Sequence, residues 1–490
     1  MLLFPFLVRV IVIQKLGIEY LGIGSLFTSI LGALALADLG FGSAAVYFLY
    51  EPVAKGKVDE VNALLAYYRR VFRIIGTVIL VGGLLLMPFL KYLINGSCPS
   101  DVNIYIAYLI QLSSTVFSYF FFAYKSVVLI ANMRNDVESA IYSGAKAVMY
   151  IAQIALLMLF RNYYAYAIAM PIFAVVRNLI RCIACNKLFP QYQCSGEISQ
   201  ETKRGIRIRI VALFGHKFSA KIIQTADNVV ISSFLGLAVL GKYSNYFYIF
   251  TAVSVFISMV TDSLRPIVGN YMVCEDGDSN LKVFHNFIFI FSGLITFCCT
   301  SFVCLYQNFI LLWVGDYLLE FSSVILLAFY FWIAMICEAF RVYRDAAGLW
   351  HKVKYYPYVT AVVNVALNII LVQFIGVNGI IISTIVTLSM ISLPCEIRSL
   401  FTNYFKRSSV KTLLYLAKYT LVMILTAFVT YCITEYLVGG VGIIRFIIKA
   451  AICCLIPAAI YCLLFFRTPE FAFFKNYIFG RLRRSANEES

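Results

Sequence analysis

Charge is what this chain of 490 residues has least of. Asp, Glu, Lys and Arg together make up 13% of it, where a soluble domain carries about 25%. Apolar residues reach 62% and the mean hydropathy is +0.87. No polar block is long enough for a soluble catalytic domain, so an enzyme built on one is excluded. Histidine occurs three times, and neither H-E-x-x-H nor a paired C-x-x-C pattern is present; no metal and no cofactor is expected. Cysteine is not scarce, at fourteen residues. Most of them, among them Cys298, Cys299, Cys453 and Cys454, lie in apolar runs where a thiol behaves as a small hydrophobe. Only Cys98 falls in an outer loop, which excludes a disulfide framework. No basic stretch forms a separate domain, so the formal charge of +16 does not point to nucleic acid.

What is present is a succession of long apolar runs. A membrane span needs about 20 mostly apolar residues. On that rule fourteen runs qualify, near 1–15, 22–48, 74–94, 102–124, 138–160, 164–185, 210–235, 242–264, 284–305, 319–340, 357–375, 379–397, 413–436 and 443–466. They are too long for barrel strands and do not alternate polar with apolar, so helices are expected. The fold class read from the sequence is therefore an all-α polytopic membrane protein with about 14 transmembrane helices.

Charge then sets the orientation. The loops on the side of 49–73, together with the carboxyl-terminal tail, hold most of the 40 Lys and Arg residues. The other side holds six: Lys15, Lys91, Arg161, Lys242, Arg445 and Lys449. The positive-inside rule puts 49–73, 186–209 and 398–412 in the cytoplasm, along with both termini. All outer loops are short, and none can house an active site unaided. The first run starts at Met1 without a basic flank or a cleavage site, so it is not a signal peptide. Its shortness raises the expectation that the reading frame continues upstream, by roughly 20–30 residues with a basic beginning.

An internal repeat divides the chain. Leu16-Gly17-Ile18-Glu19-Tyr20-Leu21-Gly22 and Leu235-Gly236-Leu237-Ala238-Val239-Leu240-Gly241 both read L-G-x-x-x-L-G, at an offset of 219 residues. Both fall in short outer turns, after the first and seventh runs, where glycine tolerates tight backbone. Gln153 and Asn368 correspond more loosely. The longest polar inner stretch, 186–209, separates the halves. The expected organisation is an N-lobe at 1–185, a linker at 186–209, a C-lobe at 210–400, and two further spans with a basic tail at 401–490. In transporters built from such repeats, the binding site lies between the halves.

An ionisable group in the bilayer is a functional-site hypothesis by default, because burying it costs several kcal/mol. Arg9 lies in the first run, Asp38 in the second, Lys146 in the fifth, and His216, Lys217, Lys221 and Asp227 in the seventh. Arg265 ends the eighth beside Pro266. Glu338 and Arg341 share a helix face at i, i+3 and read as a structural pair, while Lys217 and Lys418 read as snorkelling to the interface. Asp38 either caps or pairs with a neighbouring helix. The repeat sets Arg9 opposite Asn228, beside Asp227. The candidate cavity residues are thus Arg9, Asp38, Lys146, Lys221, Asp227, Asn228 and Arg265. The set leans cationic, which suits an anionic substrate. Tyr243, Tyr246 and Tyr248 either stack on sugars or pack at the interface.

Several segments resemble the bacterial polysaccharide-repeat-unit flippases of the Wzx type. They are Phe6-Leu7-Val8-Arg9 with Lys15 to Gly22, Leu36-Ala37-Asp38-Leu39-Gly40-Phe41-Gly42, Tyr50-Glu51-Pro52-Val53-Ala54, Ala226-Asp227-Asn228-Val229-Val230-Ile231-Ser232, and Asn364 and Asn368 followed by Gly376 and Gly379. The resemblance covers essentially the whole chain. It implies the superfamily that also holds multidrug extruders and the peptidoglycan-lipid flippase, with two six-helix lobes in a MATE-like V, two extra carboxyl-terminal helices and alternating access. The implied substrate is an undecaprenyl-diphosphate-linked oligosaccharide, moved across the bacterial inner membrane. A polysaccharide polymerase and a chain-length regulator are implied partners. Arg9 would contact the diphosphate. Arg265, the eighth run's only arginine, lies near the cytoplasmic end and departs from the family's cavity arginine there. Two other readings stay open at this point: a drug or cation antiporter of the same fold, for which Asp38 and Asp227 speak, and a membrane glycosyl-polymerase or ligase.

Overall fold

A computed structural model describes residues 3–35, 41–96, 98–274, 277–349, 353, 355–473 and 475, without the side chains of 211–220 and 273. Asp38 lies outside the described residues, as do the side chains of His216 and Lys217. All regular structure among the described residues is helical. In order these are α1 (Leu3–Lys15), α2 (Ile18–Leu34), α3 (Phe41–Ala54), α4 (Val58–Leu86), α5 (Ile104–Phe120), α6 (Lys125–Ala131), α7 (Asn135–Phe160) and α8 (Tyr163–Leu188). They are followed by α9 (Gln200–Leu235), α10 (Leu237–Cys274), α11 (Gly277–Trp313), α12 (Phe321–Ala346), α13 (Tyr356–Thr387), α14 (Leu393–Leu400), α15 (Val410–Val438) and α16 (Ile443–Phe465).

Among the described residues, nine helices are long and apolar enough to cross a membrane, and the bent α5–α6 pair makes a tenth. One of the nine is a hairpin. Ile375 and Gly376 leave helical geometry, with Gly376 at φ 57°, and the chain doubles back. Asn364 then donates to Thr384 at 3.1 Å and Asn368 to Asn364 at 3.2 Å, all of them buried. Glycine is what permits that reversal, since its φ lies in the left-handed region. The sequence boundary between runs 357–375 and 379–397 falls on this turn.

Within the described residues the apolar runs map onto helix. The run 22–48 supplies α2, which ends at Leu34, and α3, which begins at Phe41; positions 36–40 lie outside the described residues. The run 102–124 bends by 53° between α5 and α6, where Phe122 adopts a φ of 56°. Helix starts follow side-chain capping. Asn103 accepts from the N–H groups of Tyr105 and Ile106, Asn162 from those of Tyr164 and Ala165, and Ser199 from that of Thr202, which satisfies orphan donors of the first turn.

The chain forms two compact units, Met1–Ser244 and Asn245–Ser490. In the first unit α9 packs on α2 and α3. In the second unit α11 is the central helix, packed by α12, α15 and α16. Its core is aromatic: Phe284, Phe302, Phe331, Trp332 and Phe340 are all buried. Trp332 donates its indole N–H to Thr420 at 3.0 Å, and Tyr461 donates to the Phe289 carbonyl at 3.1 Å. The last two spans are therefore docked on α11 rather than appended loosely.

Candidate functional site

The repeat motif is realised as a reciprocal helix crossing in the first unit. Gly17 and Gly236 both take positive φ, 130° and 87°, and break the chain before α2 and α10. A Cβ on Gly22 would run into the Leu237 carbonyl oxygen, and one on Gly241 into that of Ile18. Positions 18 and 237 are themselves separated by the repeat offset, so the two contacts are images of each other. The second glycine of each motif is needed for close backbone approach.

Hydrogen bonds continue the same relation. Arg9 on α1 donates to the Ser244 hydroxyl on α10 at 3.1 Å. Asn228 on α9, its counterpart in the repeat, donates to the Ser29 hydroxyl on α2 at 2.7 Å. Thr225 donates to the Ser29 carbonyl at 3.2 Å. Gln153 is fully buried and donates to the Tyr166 carbonyl at 3.4 Å, joining α7 to α8 much as Asn368, which accepts from Ser383, joins the two arms of α13.

Beside this crossing lies a cavity of about 460 Å³, walled by α2, α5, α7, α8 and α9. Its chemistry is divided. Lys146, Arg177 and Lys221 supply three cations, and no Asp or Glu lines it among the described residues. Facing them are neutral polar groups of α5, namely Gln111, Ser114, Thr115 and Ser118, spaced i, i+3, i+4, i+7 on one helical face. The Lys146 ammonium donates to the Tyr142 hydroxyl at 3.2 Å and lies 5.3 and 5.9 Å from the ring centres of Tyr142 and Tyr150. Those tyrosines sit one turn to either side of it on α7. The Arg177 guanidinium stands 5.7 Å from the Tyr142 ring centre, and its Nε is buried without a hydrogen-bond partner among the described residues. Lys221 lies against Gly32, where a Cβ would come within 2.6 Å of its Cε. A side chain there would make the lysine shift its end.

Four of the seven sequence candidates belong to this neighbourhood. Lys146 and Lys221 line the cavity; Arg9 acts electrostatically on Tyr150, which also pairs with Lys146; and Asn228 packs on α2 at Ser29 next to it. Asp227 is buried on α9. Arg265 is in the second unit, inside a charge network. It bonds Asp262 at 3.3 Å, Glu338 at 2.9 Å and Asp345 at 3.3 Å. Arg341 shares Glu338 at 2.9 Å, and Arg344 binds Glu396. With three carboxylates around it, Arg265 is compensated by the protein itself. Glu338 and Arg341 do form the expected i, i+3 pair.

Of the cavity residues that the sequence reading did not single out, two stand beside the cations. Arg177 lies mid-way along the run 164–185 and meets the same criterion as Lys146. Tyr142 carries no sequence signal at all. Arg181, one turn beyond Arg177, is different in kind: its guanidinium pairs with Glu138 and with Asn178, the latter at 2.6 Å, all within the protein.

No known protein family's sequence pattern matches the chain, and no curated protein matches it. Solved structures do. An inward-closed lipid II flippase MurJ is 16% identical, with TM-score 0.65, over 95% of this chain and 96% of that one. An inward-facing multidrug resistance MATE family transporter of the MOP superfamily is 15% identical, with TM-score 0.64, over 81% and 94%. An outward-facing MATE family transporter of the same superfamily is 15% identical, with TM-score 0.52, over 83% and 93%. The fold is that of the MATE and MurJ transporters. The expectation of an all-α, MATE-like multi-pass membrane protein holds, and the known structures it resembles are transporters rather than enzymes. At this level of identity the likeness extends to the fold alone.

Proposed function

We propose that the protein is a flippase for polyprenyl-diphosphate-linked oligosaccharides, of the Wzx kind, working in the bacterial inner membrane for surface polysaccharide assembly. The observation that carries this reading is the cavity of the first unit, in which Lys146, Arg177 and Lys221 converge without a carboxylate among the described lining residues. Each of the three loses hydration there, and no carboxylate stands among the described lining residues; such an arrangement is worth keeping when an anion neutralises it. A diphosphate does so and can take the planar fork of Arg177 on two oxygens at once. Sugars and diphosphate cannot enter hydrocarbon unaided, whereas a wet polar cavity lowers that barrier while the polyprenyl chain stays in lipid.

Of the sequence candidates Lys146 and Lys221 are assigned to the anion, with Arg9 acting beside them through Tyr150; Asn228 ties α9 to α2 at Ser29, and Asp227 is buried on α9. Arg265 has a structural role. The lipid bilayer and the lipid-linked oligosaccharide are the partners this reading requires; a polymerase and a chain-length regulator fit it downstream. A drug or cation antiporter of the same fold needs carboxylates in its cavity, whereas the charged residues in the described lining of this one are cations. A glycosyl-polymerase needs an outer acceptor-binding region, and the outer connections are short.

The test is flipping in proteoliposomes. A fluorescent polyprenyl-diphosphate glycolipid becomes accessible to a membrane-impermeant quencher in the opposite leaflet only if it is moved. Combined Lys146→Gln, Arg177→Gln and Lys221→Gln substitution should abolish movement, while Lys146→Arg, Arg177→Lys and Lys221→Arg together should keep a measurable rate. Equal rates for the wild type and the uncharged variant would refute the proposal.

A further inference from the structure

A second cavity adjoins the first within the same unit. It measures about 720 Å³ and shares Ser118 and Tyr119 with its neighbour. Its walls come from α3, α4, α5, α6, α8 and α9. Two arginines line it, and each is held by a neighbouring side chain. Arg181 is committed to Glu138 and Asn178. The Arg209 guanidinium lies 3.4 Å from the centre of the Tyr47 ring, and stacking there turns its plane into an extension of the aromatic surface. What remains is aromatic and hydroxylic. Tyr47 and Tyr50, at i, i+3 on α3, are 49% and 47% exposed. Ser43, Ser118 and Ser126 add hydroxyls around them.

We propose that this second cavity is a carbohydrate subsite, which takes the neutral sugars of the glycan while the first takes the diphosphate. The inference rests on the flippase reading and assigns the part of the substrate that reading leaves unplaced. A sugar ring has an apolar face, with C–H groups, and an equatorial rim of hydroxyls. The first wants a flat aromatic surface and the second wants groups that both donate and accept, as Ser and Tyr hydroxyls do. Neither requires net charge. A volume of 720 Å³ lies in the range of about 300–1,000 Å³ typical of pockets that enclose an extended small ligand. Ser118 and Tyr119 line both cavities, which sets the two sites side by side, as the covalent link between diphosphate and first sugar demands. The division has a consequence for selectivity: the first cavity recognises any lipid diphosphate, and the second sorts glycans.

The experiment compares two probes on the full-length protein in nanodiscs. One is a short polyprenyl diphosphate. The other is the same lipid bearing a neutral disaccharide of an N-acetylhexosamine and a hexose. The wild type should bind the glycosylated probe more tightly by about tenfold, which corresponds to about 1.4 kcal/mol. Tyr47→Leu with Tyr50→Leu should erase that difference and leave the bare diphosphate unaffected. Ser126→Ala, which disturbs packing less, should reduce it in part, so that poor folding of the double variant cannot decide the outcome. Arg177→Gln should weaken both probes together. Equal affinity of the wild type for the two probes, or a preference untouched by both the tyrosine and the serine changes, overturns the carbohydrate subsite. Failure of the wild type to bind either probe instead overturns the flippase reading on which it rests.

Discussion

Arg177 and Arg181 stand one helical turn apart on α8, and substituting them separates a ligand-directed cation from a structural one. Arg181 and Glu138 are both buried, at 8% and 14% side-chain exposure. Arg181→Gln therefore strands a carboxylate in a poorly hydrated place, at a cost of about 3–5 kcal/mol. Among the described residues no carboxylate forms a salt bridge with Arg177. Its described contact is the Tyr142 ring at 5.7 Å, worth about 0.5–1 kcal/mol, and Arg181 beside it contributes repulsion. Arg177→Gln should then change stability by no more than about 1 kcal/mol. Its cost should fall on the ligand: one charged hydrogen-bonding group lost is about 1.5–3 kcal/mol, or about 10- to 150-fold in affinity. The assay is paired. Thermal unfolding of purified protein, followed by fluorescence-detected size exclusion, reports stability, and calorimetric titration with a polyprenyl diphosphate reports affinity. Arg177→Gln should unfold near the wild-type temperature and bind weakly. Arg181→Gln should unfold well below it, with Glu138→Gln in the same chain restoring much of the loss. Wild-type affinity in Arg177→Gln would refute the assignment, and so would a loss of stability equal to that of Arg181→Gln.

Two further outcomes follow from the geometry. Gly22→Ala and Gly241→Ala each force a Cβ against a backbone carbonyl that cannot rotate away, so each should destabilise the protein by about 1–3 kcal/mol. Because both open the same crossing, the double variant should lose less than the sum; strict additivity of the melting shifts would contradict the reciprocal arrangement. The orientation is tested by thiol labelling in intact cells, in a background without other reactive cysteines. Cys98 should react with an impermeant maleimide from outside and Cys194 should not. Burial raises the Cys98 thiol above its ordinary range, which lowers the thiolate fraction at neutral pH, so its labelling should accelerate as the pH is raised. Reaction of Cys194 from outside, with Cys98 silent, would reverse the topology.

How much of this was legible beforehand depends on the range of the signal. Long apolar runs are local, and each of them specified helix without reference to any other part of the chain. The turn at Gly376 and the breaks at Gly17 and Gly236 were equally local, because only glycine adopts those backbone angles at little cost. The pairing of Glu338 with Arg341 followed from helical spacing alone. The repeat, too, was visible as a pattern. That its two copies interlock, Gly22 against Leu237 and Gly241 against Ile18, required the tertiary structure.

The candidate site was legible only in parts. Composition determined that this is an all-helical membrane protein, and that its intramembrane ions lean cationic. It could not decide which cations share a space, since hydropathy is blind to how each helix is rotated about its axis. Lys146, Arg177 and Lys221 come from three helices and meet because α7, α8 and α9 turn those faces toward α5 and because Gly32 leaves room for a lysine. Arg265 carries the same charge and an equally suggestive position, yet packing of α10 against α12 surrounds it with Glu338 and Asp345. The charge of a side chain is written in the sequence; only the fold decides whether another part of the protein has already neutralised it.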